Sequence, residues 1–341
     1  MSSTTSPRRV TASDIARSLG ISRATVGFVL NDTPGQTISE ATRVRVLDEA
    51  KRLGYRPHTA ARALASGRTR IVLLVLPDWP LDFRLRRNIE EASLALDEAG
   101  YALITYTPHP TGQSRPLWET LQPDVVISMT EFAPGVAEAI RASGVTRLIP
   151  DPESPADNEY SEDGPVLQVQ HLFDIGHRSI AFAGSADPRV SDLVALRRRR
   201  TREAASSLGL PPLASRDIDL TDESATEAID EWRAAGVTGV VAYNDDVAGT
   251  LVGAALRHGV AVPEDLSIIG HDDTPLASMF EPRLSTIRLN TMGLGRYLAQ
   301  LALSAVEERE APSAGPELQA VLVPRDSTRV RPAVTGSGDA L

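Results

Sequence analysis

Residues 10–31 read VTASDIARSLGISRATVGFVLN and set the architecture of the N-terminal region. Thr11 is placed to cap a first helix, in which apolar residues recur on one face. Gly20 then supplies a tight turn, and Ser22 caps a second helix over residues 23–30. Two helices joined by a short glycine turn are typical of a helix-turn-helix that reads DNA.

A third helix is predicted after Ser39, which caps a periodic stretch from Glu40 to Leu53. Gly54 ends this helix, and a short alanine-rich segment follows at residues 58–67. A helix as short as that segment is marginal on its own. Folding that is coupled to binding a partner is physically reasonable for such a segment.

The charge distribution separates the head from the rest of the chain. Residues 1–70 carry 12 Lys and Arg against 5 Asp and Glu, whereas residues 71–341 carry 23 against 40. A basic head gains from neutralising phosphates, and an acidic body repels the polyanion. The asymmetry favours a nucleic-acid reader, and the alternative is chance clustering on a charged surface.

Composition excludes several classes of protein. The 341-residue chain has no cysteine, which excludes disulfide scaffolds, cysteine-bound zinc, iron–sulfur clusters and thiol catalysis. Its six histidines show no metal-ligand spacing, so neither a metal nor a cofactor is expected. No apolar run approaches the roughly 18 residues that span a bilayer, and the first residues lack the apolar core of a signal peptide. We expect a cytoplasmic protein with no membrane partner.

From Ile71 the pattern changes to short apolar runs that alternate with amphipathic helices. This alternation is typical of doubly wound α/β layers, in which ligands bind beyond the carboxyl ends of the strands. Helices are predicted at residues 85–99 and 225–235, among others. Strands are predicted at residues 71–77, 102–106, 125–128, 180–183, 240–242 and 267–269.

Six stretches of the chain carry a recognisable order and spacing. They are residues 10–31, quoted above, SEATRVRVLDEAKRLGYRP at 39–57, HTAARALASGRT at 58–69, HLFDIGHRSIAFAG at 171–184, VVAYNDDVAGTLVGAALRHGVAVPEDLSIIGHDD at 240–273 and PRLSTIRLN at 282–290. Together they resemble the LacI/GalR family of regulators. The resemblance implies an N-terminal all-α helix-turn-helix headpiece and an α/β periplasmic-binding-protein-like core of two doubly wound lobes.

The same resemblance divides the chain into segments. They are a DNA-binding headpiece over 1–57, a hinge helix and linker over 58–68, a first lobe over 69–155 with 290–317, a second lobe over 156–289 with 318–330, and a flexible tail over 331–341. No heptad repeat of leucines follows the core. A homodimer is therefore expected rather than a coiled-coil tetramer.

In the resembling family the second helix reads bases, and the hinge helix wedges a leucine into the minor groove. The residues of this chain implied to bind DNA are Thr11, Ser22, Arg23, Ala24, Thr25, Phe28, Asn31, His58, Ala61 and Leu64. Leu64 falls on the wedge, where an apolar side chain trades base unstacking for a bent duplex. The alternative for Leu64 is an ordinary packing leucine.

The reading helix departs from the family pattern at one place. Gly27-Phe28 stands where Ser-Arg is common, so an arginine that often reads guanine is replaced by a side chain limited to apolar contact. The operator half-site is therefore expected to differ from the usual one.

The residues implied to face a small-molecule effector are Asp78, Phe83, Asp151, Arg197, Asn244 and Asp272. Arginine offers a rigid fork of donors, aspartate accepts from hydroxyls, and asparagine does both. Such a set suits a polyhydroxylated or anionic molecule, and we expect a sugar or a sugar derivative.

Each of these residues also has a structural alternative. Arg197 is expected at the start of the helix after the fifth strand, and it opens the run 197–200, which reads equally well as a solvated face. Asn244 and Asp272 could be strand-end caps. Leu220 stands where an aromatic residue often stacks on the ligand. A stacking platform would have to come from Trp79, Phe83, Trp118, Phe132 or Tyr243.

These features predict a non-enzymatic transcriptional regulator, most simply a repressor. It would bind pseudo-palindromic double-stranded operator DNA as a dimer, under the control of a carbohydrate-like effector. Two alternatives stay open: a DNA-binding regulator with a ligand-free core, and a solute-binding protein for transport. Heparin or operator retention with a steep salt dependence separates the transport receptor from the others.

Overall fold

The protein is described by a computed structural model over residues 10–31, 35–55, 67–109, 112–150, 163–220, 223–312 and 319–331. Three helices form the head, and they are α1 (Ala12–Leu19), α2 (Arg23–Leu30) and α3 (Glu40–Arg52). Gly20 ends α1 in the left-handed conformation, with φ of 66°. Ile15, Val26 and Val46 are fully buried where the three helices meet. The predicted helix-turn-helix is confirmed.

The first lobe is built on a four-stranded parallel sheet with strand order β2-β1-β3-β4. Its strands are β1 (Ile71–Val75), β2 (Ala102–Tyr106), β3 (Val125–Ser128) and β4 (Leu148–Ile149). The helices between them are α4 (Phe83–Glu98), α5 (Leu117–Leu121) and α6 (Val136–Ala142). Strands β1 and β3 are buried nearly throughout, because helices cover both faces of the sheet.

The second lobe repeats this plan with strand order β6-β5-β7-β8. Its helices are α7 (Gly164–Asp174), α8 (Ser191–Ser207), α9 (Ser224–Ala234) and α10 (Asp245–Arg257). Its strands are β5 (Ile180–Ser185), β6 (Ala214–Ile218), β7 (Gly239–Ala242) and β8 (Ser267–Ile269). Trp232, Phe182 and Leu251 are among its largest fully buried side chains.

The chain returns to the first lobe through an antiparallel pair of strands. These are β9 (Thr286–Leu289) and β10 (Ala320–Val323), and α11 (Leu294–Glu307) lies between them in sequence. Helix α11 packs on α4 so closely that a Cβ atom at Gly295 would overlap the backbone carbonyl of Asn88. Among the described residues, no helix is long and apolar enough to cross a membrane.

The structure contains strands that sequence patterning did not predict, namely β4, β6, β9 and β10. Strand β4 has only two residues, and β6 (ASRDI) is polar and half-exposed at a sheet edge. The prediction for Arg197 was wrong in its position. Helix α8 begins at Ser191, directly after a 3₁₀ turn at Pro188–Val190, so Arg197 lies in the second turn rather than at the start.

Candidate functional site

The head presents most of the residues implied to bind DNA along α2 and at the helix ends. Ser22 Oγ accepts the backbone N–H of Thr25 at 3.0 Å and so caps α2. Phe28 is half-buried on the same helix. The exposed members of the set are Thr11, Ser22, Arg23, Ala24 and Asn31. His58, Ala61 and Leu64 lie outside the described residues.

A cavity of about 1340 Å³ lies between the two lobes. The first lobe contributes the segment before α4, one face of α4 and the loop after β3, and the second lobe contributes the ends of β5, β6 and β7. Because the strands of each sheet are parallel, their carboxyl ends bring these loops to one edge. Arg197, Asn244 and Asp272 all line this cavity.

Asp272 is the most heavily engaged carboxylate of the cavity. Its Oδ1 lies 2.7 Å from His271 Nδ1, 3.4 Å from Arg197 Nη2 and 3.6 Å from Arg84 Nη1. Its backbone has a φ of 98°, which few non-glycine residues adopt. A residue with a strained backbone and a heavily paired side chain at a cavity wall is typical of a functional site.

The electrostatics around Asp272 keep it ionised. Burial alone would raise the pKa of this carboxyl, but the charges of Arg197 and Arg84 and the hydrogen bond from His271 hold it well below its usual range. Burial lowers the pKa of His271 to about 4, so the imidazole is neutral and donates its Nδ1–H to Asp272. Asp272 is therefore a fixed acceptor in the wall.

Arg197 is buried, although it belongs to a run of four arginines. Its Nη1 donates to the backbone carbonyl of Tyr243 at 2.6 Å, and the guanidinium lies 4.7 Å from the centre of the Tyr243 ring. Arg198 is half-buried and pairs with Asp217, whereas Arg199 is exposed and pairs with Glu203. The run thus becomes a solvated face at Arg199 and Arg200, and its first member enters the cavity wall.

Asn244 caps a helix and also lines the cavity. Its Oδ1 accepts the backbone N–H of Val247 at 3.0 Å, which caps α10. The side chain is only half-buried and lines the cavity. The cap interpretation and the ligand-facing interpretation therefore describe different atoms of one side chain, because the amide nitrogen is left for another partner.

The remaining candidates are not brought together with these three. Asp78 and Phe83 are exposed and are not among the described residues that line the cavity, and Asp151 lies outside the described residues. Of the aromatic candidates, Trp79, Phe132 and Tyr243 line the cavity. Trp118 is buried instead in the core of the first lobe, edge-on to Tyr106.

Sequence reasoning missed Arg84 and Asn88, which line the cavity from α4. Asn88 is 96% buried (4% exposed), and its Oδ1 has no hydrogen-bond partner among the described residues. Their spacing of four residues places both on one face of the helix. That periodicity was the available signal, but only the packing of the lobes shows which face meets the cavity.

Comparison with known proteins agrees with this architecture. A family model described as bacterial regulatory proteins of the lacI family matches residues 11–58, and a periplasmic binding protein-like domain matches residues 169–328. The structure of the lac repressor dimer bound to operator and the anti-inducer ONPF superposes with a TM-score of 0.75 at 23% identity, covering 94% of this chain and 100% of that one. That likeness shows the fold.

The curated relatives extend over nearly the whole chain. The HTH-type transcriptional regulator GalR of Escherichia coli K12 is 30% identical over 338 residues, covering 93% of this chain and 95% of the relative. The HTH-type transcriptional repressor PurR of Photobacterium profundum is 27% identical, covering 94% of this chain and 98% of the relative. With the head and the two-lobed core present in one polypeptide, the chain belongs to the LacI family of DNA-binding transcriptional regulators.

Proposed function

We propose that this regulator is a repressor whose affinity for operator DNA is controlled by a small polar effector, most simply a carbohydrate, bound between the lobes. The observation that carries the proposal is the cavity in which Arg197, Asn244 and Asp272 meet, in the same chain as a helix-turn-helix. Fixed donors and acceptors on an otherwise partly apolar wall suit a polyhydroxylated molecule.

The residues divide into two sets by role. Arg23, Ala24 and Phe28 read base edges, while Leu64 enters the minor groove from the hinge. Thr11, Ser22, Thr25, Asn31, His58 and Ala61 fix the helices on the DNA backbone. Arg197, Asn244 and Asp272 hold the effector, and Asp78, Phe83 and Asp151 are assigned to the margin of its site.

We assign the segments of the chain as the resemblance to the family implies. The headpiece spans 1–57, the hinge 58–68, the first lobe 69–155 with 290–317, the second lobe 156–289 with 318–330, and the tail 331–341. The protein acts as a homodimer on a pseudo-palindromic operator in the cytoplasm. A relative of the same fold was solved as an operator-bound dimer, which supports this assembly.

Control passes from the cavity to the head through the first lobe. An effector that draws the lobes together rotates the first lobe, from which the hinge leads to the head. Such a rotation changes the spacing of two hinge helices in a dimer. Linkage requires the effect of effector on DNA affinity to equal the effect of DNA on effector affinity, with a coupling of about 1–3 kcal/mol.

The test begins with operator sequences selected from a random duplex library. Fluorescence anisotropy then measures operator affinity with and without compounds that raise the melting temperature of the protein. Arg23→Ala is expected to weaken specific binding by about 1–3 kcal/mol for each lost base contact. Arg199→Ala, which removes an exposed arginine of the core, is the matched control and should leave affinity unchanged.

Two outcomes contradict the proposal. Selection of only non-palindromic sequences would contradict binding of a dimer to a pseudo-palindromic operator. Operator binding that no compound changes would favour a regulator with a ligand-free core. The pairing of Arg84 and Arg197 with Asp272 gives that second candidate its physical basis, because the Asp272 carboxylate already has two cationic partners without a ligand.

A further inference from the structure

Acidic side chains outnumber basic side chains on the cavity wall. Among the described residues the wall holds three guanidinium groups, from Arg84, Arg189 and Arg197. Against these it holds seven carboxylates, from Asp82, Glu131, Glu138, Asp187, Asp219, Asp246 and Asp272. A cleft lined by one sign of charge between low-dielectric walls concentrates ligands of the opposite sign.

Each guanidinium group of the wall already contacts a carboxylate of the protein. Arg189 forms a fork with Asp187, with nitrogen–oxygen distances of 2.6–3.1 Å. Arg197 donates to the Tyr243 carbonyl and pairs with Asp272, which Arg84 also approaches. An anionic ligand would therefore meet guanidinium groups whose charge is already partly offset by carboxylates, and it would bring its own charge among further carboxylates.

Two carboxylates without a cationic partner among the described residues line the same cavity from opposite lobes. Asp82 precedes α4 and uses Oδ1 to cap that helix, accepting the Leu85 N–H at 2.6 Å. Asp246 stands in the first turn of α10 and is exposed to the cavity. Partial burial, then the charges of Asp272 and Asp82, raise the pKa of Asp246. Asp246 is thus close enough to Asp272 and Asp82 for both carboxylates to disfavour its charged form.

An independent group on the wall also requires a donor. Asn88 is 4% exposed, and its carbonyl oxygen has no hydrogen-bond partner within the described ranges. It follows Arg84 by one helical turn on the face of α4 that lines the cavity. Buried amide oxygens are normally hydrogen-bonded, so this position calls for a donor from whatever fills the cavity.

Resting on the effector control proposed above, we infer that the effector is a cation: a polyhydroxylated compound that carries a basic amine. The ammonium group binds between Asp82 and Asp246, where it neutralises carboxylates of both lobes. The hydroxyl groups contact Asp272 and the amide of Asn244. Because one cation would join acidic groups from opposite lobes, its binding favours a closed cleft.

The experiment compares sugars that differ by one group. Isothermal titration measures the affinity of the full-length protein for glucosamine, glucose and glucose 6-phosphate, and for the corresponding galactose series. We expect the amino sugar of a series to bind about tenfold or more tightly than the neutral sugar of that series, because one charge pair contributes a difference of this size. The preference should weaken as salt is raised.

Single substitutions test which carboxylate of the cavity binds the amine of the effector. Asp246→Asn keeps the shape of the side chain and should clearly reduce the ratio of amino-sugar to sugar affinity, with Asp82 left as the remaining partner of the ammonium group. Asp230→Asn removes an exposed carboxylate of α9 outside the cavity and should keep the ratio. Thermal unfolding of both variants checks that the fold is intact.

The outcomes separate this inference from the function on which it rests. A sugar phosphate or neutral sugar that binds more tightly than the amine, or an amine preference that Asp246→Asn leaves intact, overturns the cationic class while keeping an effector site. Binding by no member of any class, with operator affinity unresponsive to all of them, overturns the effector control itself.

Discussion

Arg84 Nη1 lies 3.6 Å from Asp272 Oδ1 and joins the first lobe to the second across the cavity. The two residues are far apart in sequence, and Asp272 is also bound by Arg197 and His271. The contact therefore links the position of α4 to the strained turn after β8. It is a direct charge contact between the lobes at the centre of the candidate site.

Removing the guanidinium of Arg84 is expected to open the ligand-free cleft. Arg84→Gln keeps most of the side-chain length, and Asp272 retains its partners in the second lobe, so the loss of stability should stay below about 1 kcal/mol. Small-angle X-ray scattering should give a larger radius of gyration for the variant. Arg86→Gln, which breaks an exposed pair with Glu90 on the same helix, is the control. Equal scattering from all three proteins would show that the contact does not hold the lobes.

Removing the carboxylate of Asp272 is expected to destabilise the second lobe as well as to impair effector binding. Arg197 is 4% exposed, and a buried charge deprived of its partner typically costs about 3–5 kcal/mol. Alanine would also be strained at the positive φ. Asp272→Asn, which tolerates that backbone and keeps an acceptor, should lose clearly less.

Urea denaturation measures both Asp272 variants. Asp217→Asn breaks the exposed pair with Arg198 and should change the unfolding free energy by no more than about 1 kcal/mol. If Asp272→Ala were as stable as wild type, the carboxylate would have no structural role. Effector responses are better compared with Asp272→Asn, since the alanine variant changes folding too.

Asp245 should make stability fall as pH rises from the ordinary carboxyl pKa, about 4, to about 7. Its buried carboxyl accepts the Thr286 hydroxyl at 2.6 Å and the Thr274 N–H at 2.7 Å, and burial raises its pKa to about 7. The folded state therefore holds the proton more tightly than the unfolded chain does. The stability contributed by this group is complete below its unfolded pKa and is lost as pH rises through about 7.

Asp245→Asn removes this titration while keeping the hydrogen bonds. The amide oxygen can accept the Thr274 N–H, and the amide nitrogen can donate to Thr286 Oγ1. We expect the melting temperature of the variant to rise relative to wild type as pH increases from about 4 to about 7, and the difference to level off above that. His177 and His271, whose pKa values are lowered to about 4, are present in both proteins and cancel from the difference. A difference that stays constant from about pH 4 to about pH 7 would contradict the assignment, and Asp230→Asn serves as the exposed control.

The contact between α4 and α11 should not tolerate a side chain at Gly295. A Cβ there would overlap the carbonyl oxygen of Asn88 and press on the backbone of Ala92, so Gly295→Ala should cost about 1–3 kcal/mol. Gly27→Ala is the contrasting variant, because its Cβ would meet no atom within 4 Å and a helical alanine gains up to about 1 kcal/mol. Calorimetric unfolding should shift in opposite directions for the two, and a stabilised Gly295→Ala would refute the close packing.

Much of the fold is local and could be predicted. Gly20 adopts the left-handed conformation that ends α1, and Ser22 caps α2 with its own side chain, so the turn of the head is specified within a few residues. Strands β1, β3, β5, β7 and β8 are short apolar runs whose burial follows from their composition. Asn244 and Asp272 could be proposed from the resemblance to the LacI/GalR family, and they lie shortly after the ends of β7 and β8.

The partners of these residues depend on packing between distant segments. The short or polar strands β4, β6, β9 and β10 gain their stability from neighbours supplied by other parts of the chain. Arg197 enters the wall rather than solvent because α8 starts at Ser191 and turns that position inward. Arg84 and Asn88 face the cavity only because α11 fixes the rotation of α4.

The sequence by itself determined the head, the alternating α/β core and the strand-end positions of two wall residues, since each depends on neighbours within one or two turns of the chain. Tertiary structure alone decided that Arg84 meets Asp272 and that Asp82 and Asp246 line one cavity. The physical reason is that the interaction between two charges depends on their distance in space and not on their separation in sequence. The distance across the cleft is set by how the two sheets are joined.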